Sequence, residues 1–175
     1  RRYSYAELTE EVGRVAAMLA RLGVTKGDRV IIYMPMIPET VFAMLACARL
    51  GAVHSVVFGG FAPLELAKRI DDATPKVLLT ASCGIEGART IAYQPLVDEA
   101  LTLAAYRVDA VVLLQRERLR ADLATGTGHD WAELLGAVAA DPVPPYADLA
   151  ADDPLYILYT SGTTSKPKGV PRRHR

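Results

Sequence analysis

Short apolar runs alternate with helix-like segments over the first two thirds of the chain. The run at residues 29–34 is unbroken in its apolar character, which suits a strand covered on both faces. Further strands are predicted at residues 53–58 and 76–81, and segments with helical features and short turns lie between the strands. This alternation predicts a parallel sheet with right-handed crossover connections. The fold class is therefore expected to be α/β, built from parallel βαβ units.

Several residues mark where the predicted helices begin and how they are stabilised. Ser4 and Glu7 fit a capping box at the start of the first helix. Pro38 opens a second helix that is so uniformly apolar that we expect it to be largely buried. In the third helix, Glu65 and Arg69 have the spacing of an ion pair. The predicted helices cover residues 5–22, 39–50, 63–73 and 97–105, and one more strand is predicted at residues 110–114.

The periodicity weakens over residues 116–153. A flexible turn region is expected at residues 123–128 and a short helix at residues 130–138, followed by several prolines that enforce extended chain. We interpret this stretch as a surface excursion, with Trp131 as a packing anchor and His129 as a loop residue.

A stretch rich in hydroxyl groups follows the last predicted strand. Four hydroxyls and the backbone amides around Gly162 can donate to phosphate oxygens, while Lys168 supplies a mobile positive charge. The four hydroxyl residues are Thr160, Ser161, Thr163 and Thr164. The spacing is not that of a P-loop NTPase, because Gly162 is followed six residues later by Lys168 and then by Gly169. The stretch predicts another kind of phosphate-binding loop, and a solvated turn is the alternative.

Over this stretch the chain resembles the AMP-binding motif of the adenylate-forming superfamily, which includes acyl-CoA synthetases, firefly luciferases and peptide-synthetase adenylation domains. The matching pattern is a strand, T-S-G-T-T, a small residue, one further residue and P-K-G. Ser165 stands where most members have glycine, and a positive φ would be less comfortable for serine. The resemblance implies that ATP is bound by Thr160, Ser161, Gly162, Thr163, Thr164, Ser165, Lys168 and Gly169, with Lys168 as the catalytic residue.

Residues 34–39 and 44–61 resemble the short-chain branch of that superfamily, the acetyl-CoA and propionyl-CoA synthetases, and the resemblance extends over residues 5–170. It implies that residues 1–175 form part of the large N-terminal domain of such an enzyme. The remainder of that domain and the small C-terminal domain would lie beyond this chain. Alone, the 175 residues are therefore expected to have no measurable ligase activity.

The resemblance also implies a coenzyme A site. Phe58, Gly59 and Gly60 match a turn that lines the CoA tunnel, where glycine lets the backbone approach a ligand closely; a plain tight turn is the alternative. Arg89 matches the last residue of an R-G-G-R element whose arginines meet the nucleotide phosphate of CoA. Glu86 stands where the first arginine would be, so a solvated surface arginine is nearly as favoured for Arg89.

The implied reaction has two steps: a carboxylate attacks the α-phosphorus of ATP to give an acyl adenylate and pyrophosphate, and the CoA thiol then displaces AMP. Mg²⁺ is expected with the nucleotide, and no protein nucleophile is needed. Arg172 favours propionate over acetate as the acid. Two other readings stay open, an adenylation domain that serves a carrier protein and a catalytically incomplete nucleotide-binding or interaction module.

Composition limits the partners. Twenty basic and twenty acidic residues cancel, which gives no reason to propose nucleic acid or an anionic membrane. No apolar run reaches the ~18 residues that a membrane-spanning helix needs. Cys47 and Cys83 suit a reducing cytosol, or the mitochondrial matrix if a transit segment precedes Arg1. Small molecules are the expected partners, and self-association is possible. His54 lies within an apolar strand and is interpreted as a satisfied core histidine rather than an acid–base catalyst.

Overall fold

The computed structural model of this chain describes residues 2–123, 127–160 and 168–174. The helices are α1 (Tyr5–Arg21), α2 (Pro38–Leu50), α3 (Pro63–Ala73), α4 (Gln94–Leu103) and α5 (Trp131–Ala137). The strands are β1 (Arg29–Met34), β2 (Val53–Phe58), β3 (Val77–Ala81), β4 (Cys83–Glu86), β5 (Arg89–Ala92), β6 (Ala110–Leu114), β7 (Gly128–Asp130), β8 (Pro154–Thr160) and β9 (Lys168–Arg173).

A seven-stranded sheet forms the centre of the fold, with the strand order β7-β6-β3-β1-β2-β8-β9. Its neighbouring strands are parallel except for β8 and β9, which run antiparallel. β4 and β5 form a separate antiparallel hairpin. The α/β class and the parallel βαβ units predicted from the sequence are confirmed.

Strand β1 shows why the sheet needs helices on both faces. Val30 and Ile32 point into a core formed with α1, α2 and α5, whereas Ile31 and Tyr33 point into a second core formed with α3 and α4. All four side chains are completely buried. A strand buried on both sides has no polar face to show, which explains its unbroken apolar sequence.

The predicted helix signals are present in the structure. The amide of Glu7 donates to Ser4 Oγ at 3.3 Å, and the amide of Ser4 donates to the Glu7 carboxylate at 2.7 Å, which completes the capping box. Helix α2 ends at Gly51, whose φ of +70° favours glycine. In α3, Arg69 Nη1 lies 3.1 Å from Glu65 Oε2, as the spacing predicted. None of the described helices combines the length and apolar character needed to cross a membrane.

Other segments differ from the sequence prediction. Helix α4 begins three residues before the predicted start at residue 97, because a proline fits within its first turn. The prediction that His129 is a loop residue is wrong, since residues 128–130 add a short parallel edge strand to β6. Trp131 is 3% exposed at the start of α5, which confirms it as a packing anchor. Residues 124–126, part of the predicted turn region, lie outside the described residues.

The β4–β5 hairpin was not predicted. Each of its strands has four residues, and they pair with each other rather than with the central sheet. Such short strands lack the length over which an alternating pattern can be read. The hairpin is nevertheless important, because it carries Arg89 to the edge of the sheet where the other predicted binding residues lie.

Candidate functional site

The carboxyl ends of β2 and β8 lie side by side at one edge of the sheet. The two strands are parallel neighbours with His54 opposite Tyr156, and Ser55 Oγ donates to the carbonyl of Ile157 at 3.1 Å. Phe58 and Thr160 each lie four residues beyond the paired positions. The proposed CoA turn and the start of the proposed phosphate loop therefore occupy adjacent strand ends, the edge at which open α/β sheets bind ligands.

The predicted phosphate loop is bounded by two paired residues. Thr160 is the last residue of β8 and Lys168 the first residue of β9, and they face each other across the antiparallel ladder. Both are exposed. The structure thus assigns Lys168 and Gly169 to the start of a strand rather than to the loop. Ser161, Gly162, Thr163, Thr164 and Ser165 lie outside the described residues.

Gly169 lies opposite Tyr159 where β9 closely approaches its neighbours. A Cβ at this position would lie 3.0 Å from Asp72 Oδ2 on α3 and 3.1 Å from the Tyr159 ring. A Cβ here would require these side chains to shift by a few tenths of an ångström, so glycine suits the close packing of β9 against β8 and α3.

The turn that follows β2 is built around hydrogen bonds to a tyrosine from β1. The amide of Gly60 donates to Tyr33 Oη at 3.1 Å, and Tyr33 Oη donates to the carbonyl of Phe61 at 2.9 Å. Gly60 has a φ of +113°, a conformation that side-chain-bearing residues rarely adopt. Phe58 at the end of β2 is 56% exposed. The turn is thus fixed from beneath and presents an aromatic ring to solvent.

The β4–β5 hairpin packs beside this turn. Glu86 Oε1 lies 3.0 Å from where a Cβ on Gly60 would be, and Arg89 lies directly across the hairpin from Glu86. Both residues are exposed. The structure therefore brings together the two parts of the predicted CoA site, the glycine turn and Arg89. It also places the carboxylate of Glu86 beside Gly60.

Tyr93, just before α4, was missed by the sequence analysis. Its ring is 2% exposed, lies 5.3 Å from the ring of Tyr33, and occupies the space left by Gly59 and Gly84. A Cβ on either glycine would fall inside van der Waals contact with this ring. Burial, then the neighbouring Tyr33 and Glu86, raises the pKa of Tyr93 to about 12. Gly59 and Gly84 were the signal in the sequence that could have indicated a close approach here. That both glycines pack on the same tyrosine ring is visible only in the structure.

A buried arginine connects the two parts of the site. Arg69 on α3 is 7% exposed, and its guanidinium carbon lies 5.2 Å from the Phe61 ring and 5.2 Å from the Tyr159 ring. It pairs with Glu65, whose pKa is lowered first by the hydrogen bond from the neighbouring Lys68 and then by that from Arg69. Sequence spacing indicated the ion pair but not the aromatic contacts.

Tyr159 is also held by α3 through its hydroxyl. Tyr159 Oη donates to Asp72 Oδ2 at 2.7 Å. Burial raises the pKa of Tyr159, and the hydrogen bond to the Asp72 carboxylate raises it further. The tyrosine therefore stays protonated, and α3 fixes the residue immediately before Thr160.

His54 faces the core that contains α2 rather than the edge of the sheet. It is 5% exposed and its ring stacks on Tyr156 at 5.6 Å. Burial, then the charge of His174, lowers the pKa of His54 to about 4, so the ring is neutral near pH 7. The core location is as expected, but among the described residues Nδ1 has no hydrogen-bond partner, so the interpretation as a satisfied histidine is wrong.

The cysteines and the acidic residues provide no additional site within the described ranges. Cys47 and Cys83 are both free and buried, and burial raises the pKa of the Cys47 thiol to about 12. Among the described residues, no three His, Cys, Asp or Glu side chains are grouped in a way that could hold a metal ion.

Comparisons with known proteins show the family of this chain. The family model described as AMP-binding enzyme matches residues 1–175. The chain is 62% identical to an uncharacterized protein of Pseudomonas aeruginosa, over 98% of this chain and 27% of that protein. It is 50% identical to the mitochondrial acyl-CoA synthetase short-chain family member 3 of Mus musculus, over 97% of this chain and 24% of the relative.

A bacterial relative gives a similar result. The chain is 48% identical to an acetyl-coenzyme A synthetase of Shewanella denitrificans, over 97% of this chain and 26% of that protein. The chain thus spans about a quarter of the length of the curated relatives it matches.

Proposed function

This chain belongs to the AMP-binding enzyme family, and from that premise we propose that a full-length protein carrying it is an ATP-dependent short-chain acyl-CoA synthetase. The proposed enzyme converts a small carboxylic acid and ATP into an acyl adenylate and pyrophosphate, and then transfers the acyl group to CoA with release of AMP. One observation carries the proposal: the glycine turn after β2 and the two ends of the phosphate loop lie at adjacent strand ends. This arrangement can bring a thiol and an adenylate together.

In the first step the loop holds the triphosphate. Thr160 and Lys168 face each other at its ends, so a phosphate between them would meet a hydroxyl donor and a cation together. We assign the β- and γ-phosphates to this place, with Lys168 stabilising the charge of the leaving pyrophosphate. The further donors in this proposal are Ser161, Gly162, Thr163, Thr164, Ser165 and the backbone of Gly169.

In the second step CoA approaches along the glycine turn. The exposed ring of Phe58 offers an apolar surface, and Gly60 lets a ligand come close to the backbone, whereas Gly59 shapes the turn by packing on the Tyr93 ring. Arg89 is the cation assigned to the nucleotide phosphate of CoA. Glu86 faces Arg89 across the hairpin, so this contact should be weaker than that of a pair of arginines.

The proposed reaction also needs a carboxylic acid substrate and a metal ion. We propose propionate or acetate as the acid, with propionate favoured by Arg172; the relatives' names include both a short-chain acyl-CoA synthetase and an acetyl-coenzyme A synthetase. Mg²⁺ is proposed to arrive with ATP. The described residues offer no metal-binding group of their own, so no step above depends on a protein ligand to Mg²⁺.

The proposal is tested with a full-length protein that carries this chain. Supplied with ATP, Mg²⁺ and propionate or acetate, it should release pyrophosphate only when the acid is present, and it should release AMP rapidly only after CoA is added. Transfer to a carrier-protein arm without CoA-dependent AMP release would instead indicate an adenylation domain. Absence of acid-dependent pyrophosphate release, with ATP still bound, would indicate a nucleotide-binding module and would contradict the proposal.

A further inference from the structure

Arg69 is a nearly buried cation at the edge of the sheet that carries the candidate site. Its Nη1 donates to the carbonyl of Glu65 at 2.6 Å and to Glu65 Oε2 at 3.1 Å. A buried charge is costly unless it is paired. Glu65 is itself partly exposed and also binds Lys68, so Glu65 alone does not explain why a cation is placed here.

Two aromatic rings from different elements lie close to the Arg69 guanidinium. The Phe61 ring and the Tyr159 ring each lie 5.2 Å from the Arg69 guanidinium carbon, within the range of a cation–π contact. We call Phe61, Arg69 and Tyr159 the aromatic–arginine stack. Desolvation strengthens such contacts, so the burial of Arg69 makes the stack a specific link between the two rings.

The two rings belong to different parts of the candidate site. Phe61 directly follows the glycine turn, where its carbonyl accepts from Tyr33 and its ring lies 5.9 Å from that of Phe58. Tyr159 directly precedes Thr160 at the start of the phosphate loop. Arg69 therefore contacts one ring from each part of the candidate site.

We propose that the aromatic–arginine stack couples the CoA turn to the ATP loop, with Arg69 as a positioning residue that touches neither substrate. The inference rests on the proposed function, because it is that function that assigns CoA to the turn and ATP to the loop. The CoA thiol must reach an adenylate formed at the neighbouring strand end. Small errors in alignment are costly in such a step, so a fixed link between the two ends has a direct use.

The test compares two substitutions in a full-length protein that carries this chain. Arg69→Met removes the cation between the rings and keeps an unbranched side chain. Lys68→Met is the matched control, because Lys68 Nζ also pairs with Glu65, at 2.8 Å, but Lys68 is no part of the stack. The first readout is hydrogen exchange at the Gly60 amide, with and without a non-hydrolysable ATP analogue. The second is the KM for CoA.

In the wild-type protein, the analogue should slow exchange at Gly60, because a nucleotide bound at Thr160 restrains the adjacent Tyr159, and the stack passes this restraint to the turn. Arg69→Met should abolish this nucleotide effect and raise the KM for CoA about five- to tenfold, as expected for the loss of two cation–π contacts. Arg69→Lys should restore the nucleotide effect in part, since it keeps the charge but not the planar group. Lys68→Met should behave as the wild type.

An Arg69→Met protein with the wild-type nucleotide effect and KM would overturn the inference. A lowered melting temperature with an unchanged nucleotide effect would also overturn it, since that result shows a purely structural role. If Arg69→Met does not fold, Phe61→Leu keeps the Glu65 pair and should lose the nucleotide effect in the same way. A wild-type protein without CoA-dependent AMP release would refute the proposed function, while the exchange measurement would still decide whether the stack connects the turn and the loop.

Discussion

Replacing Gly59 by alanine tests whether the glycine turn is determined by packing rather than by backbone flexibility. A Cβ on Gly59 would fall inside van der Waals contact with two ring atoms and the hydroxyl oxygen of Tyr93. That ring cannot move toward solvent, since it is 2% exposed and packs on Tyr33 at 5.3 Å. The substitution should therefore displace either the ring or the turn.

The sign of the change in the free energy of unfolding shows whether packing or backbone flexibility explains the glycine at position 59. Gly59 does not have a φ in the left-handed region, so alanine would by itself stabilise the fold by about 0.4–1 kcal/mol through the unfolded state. Overpacking of a dense core costs about 1–3 kcal/mol. Because the contact with Tyr93 is too close to be relieved without movement, we expect Gly59→Ala to reduce the free energy of unfolding by about 1–2 kcal/mol.

Urea unfolding of the purified protein measures this change directly. Gly136→Ala is the matched control, since no atom lies within 4 Å of its added Cβ and its place in α5 favours alanine. Gly136→Ala should leave stability unchanged or increase it slightly. In Gly59→Ala, Tyr93→Leu the added methyl has room, so the double variant should lose less stability than the sum of the two single changes.

Gly59→Ala should also weaken the proposed binding of CoA. In a full-length protein, Gly59→Ala should raise the KM for CoA more than the KM for ATP, because Gly59 lies beside the exposed ring of Phe58. A Gly59→Ala protein as stable as the wild type would contradict this prediction. Strict additivity of the stability changes in the double variant would contradict it as well.

Further predictions concern single hydrogen bonds and one titration. Tyr33→Phe leaves the Gly60 amide and the Phe61 carbonyl without their partner, so Gly60 amide exchange should accelerate and stability should fall by about 1–3 kcal/mol; an unchanged exchange rate would contradict this. Because the pKa of His54 is lowered to about 4, the unfolded chain protonates first as the pH falls, and stability should decrease between about pH 6.5 and pH 4 by about 3 kcal/mol. Urea titrations at several pH values should show that His54→Leu removes this decrease. Asp130→Ala deletes the cap of α5 and should cost about 1 kcal/mol by thermal unfolding.

Much of the central sheet could be predicted from the sequence because its signals are local. The strands that became β1, β2 and β6 and the helix that became α3 have the predicted bounds, since apolar runs, prolines and helix-ending residues mark them along the chain itself. The short strands were harder to predict from the sequence. β4, β5 and β7 contain three or four residues each, which is too few for a periodic pattern to be read, and β7 also depends on its pairing with β6.

Some residues of the candidate site could likewise be proposed from the sequence, and others could not. The turn and the hydroxyl-rich stretch could be proposed as binding segments because their residue types form contiguous motifs, and a parallel sheet predicts that the two strand ends share an edge. The structure confirms that β2 and β8 are parallel neighbours, while the ligands assigned to their ends stay a prediction. Tyr93 and the contacts of Arg69 could not be identified, because each depends on side chains from separate elements. The close approach of Glu86 to Gly60 likewise arises from the hairpin, which no periodicity revealed.

The central claim is that the loop between β8 and β9 holds the triphosphate of ATP, and Lys168→Ala in a full-length protein tests it most directly. Carboxylate-dependent exchange of pyrophosphate into ATP reports adenylate formation, and release of AMP from preformed acyl adenylate and CoA reports the second step. In Lys168→Ala, the rate of pyrophosphate exchange should fall by about a hundredfold or more, and the rate of AMP release should stay within about threefold of the wild type. Equal losses in both steps, or no loss in the first, would contradict it.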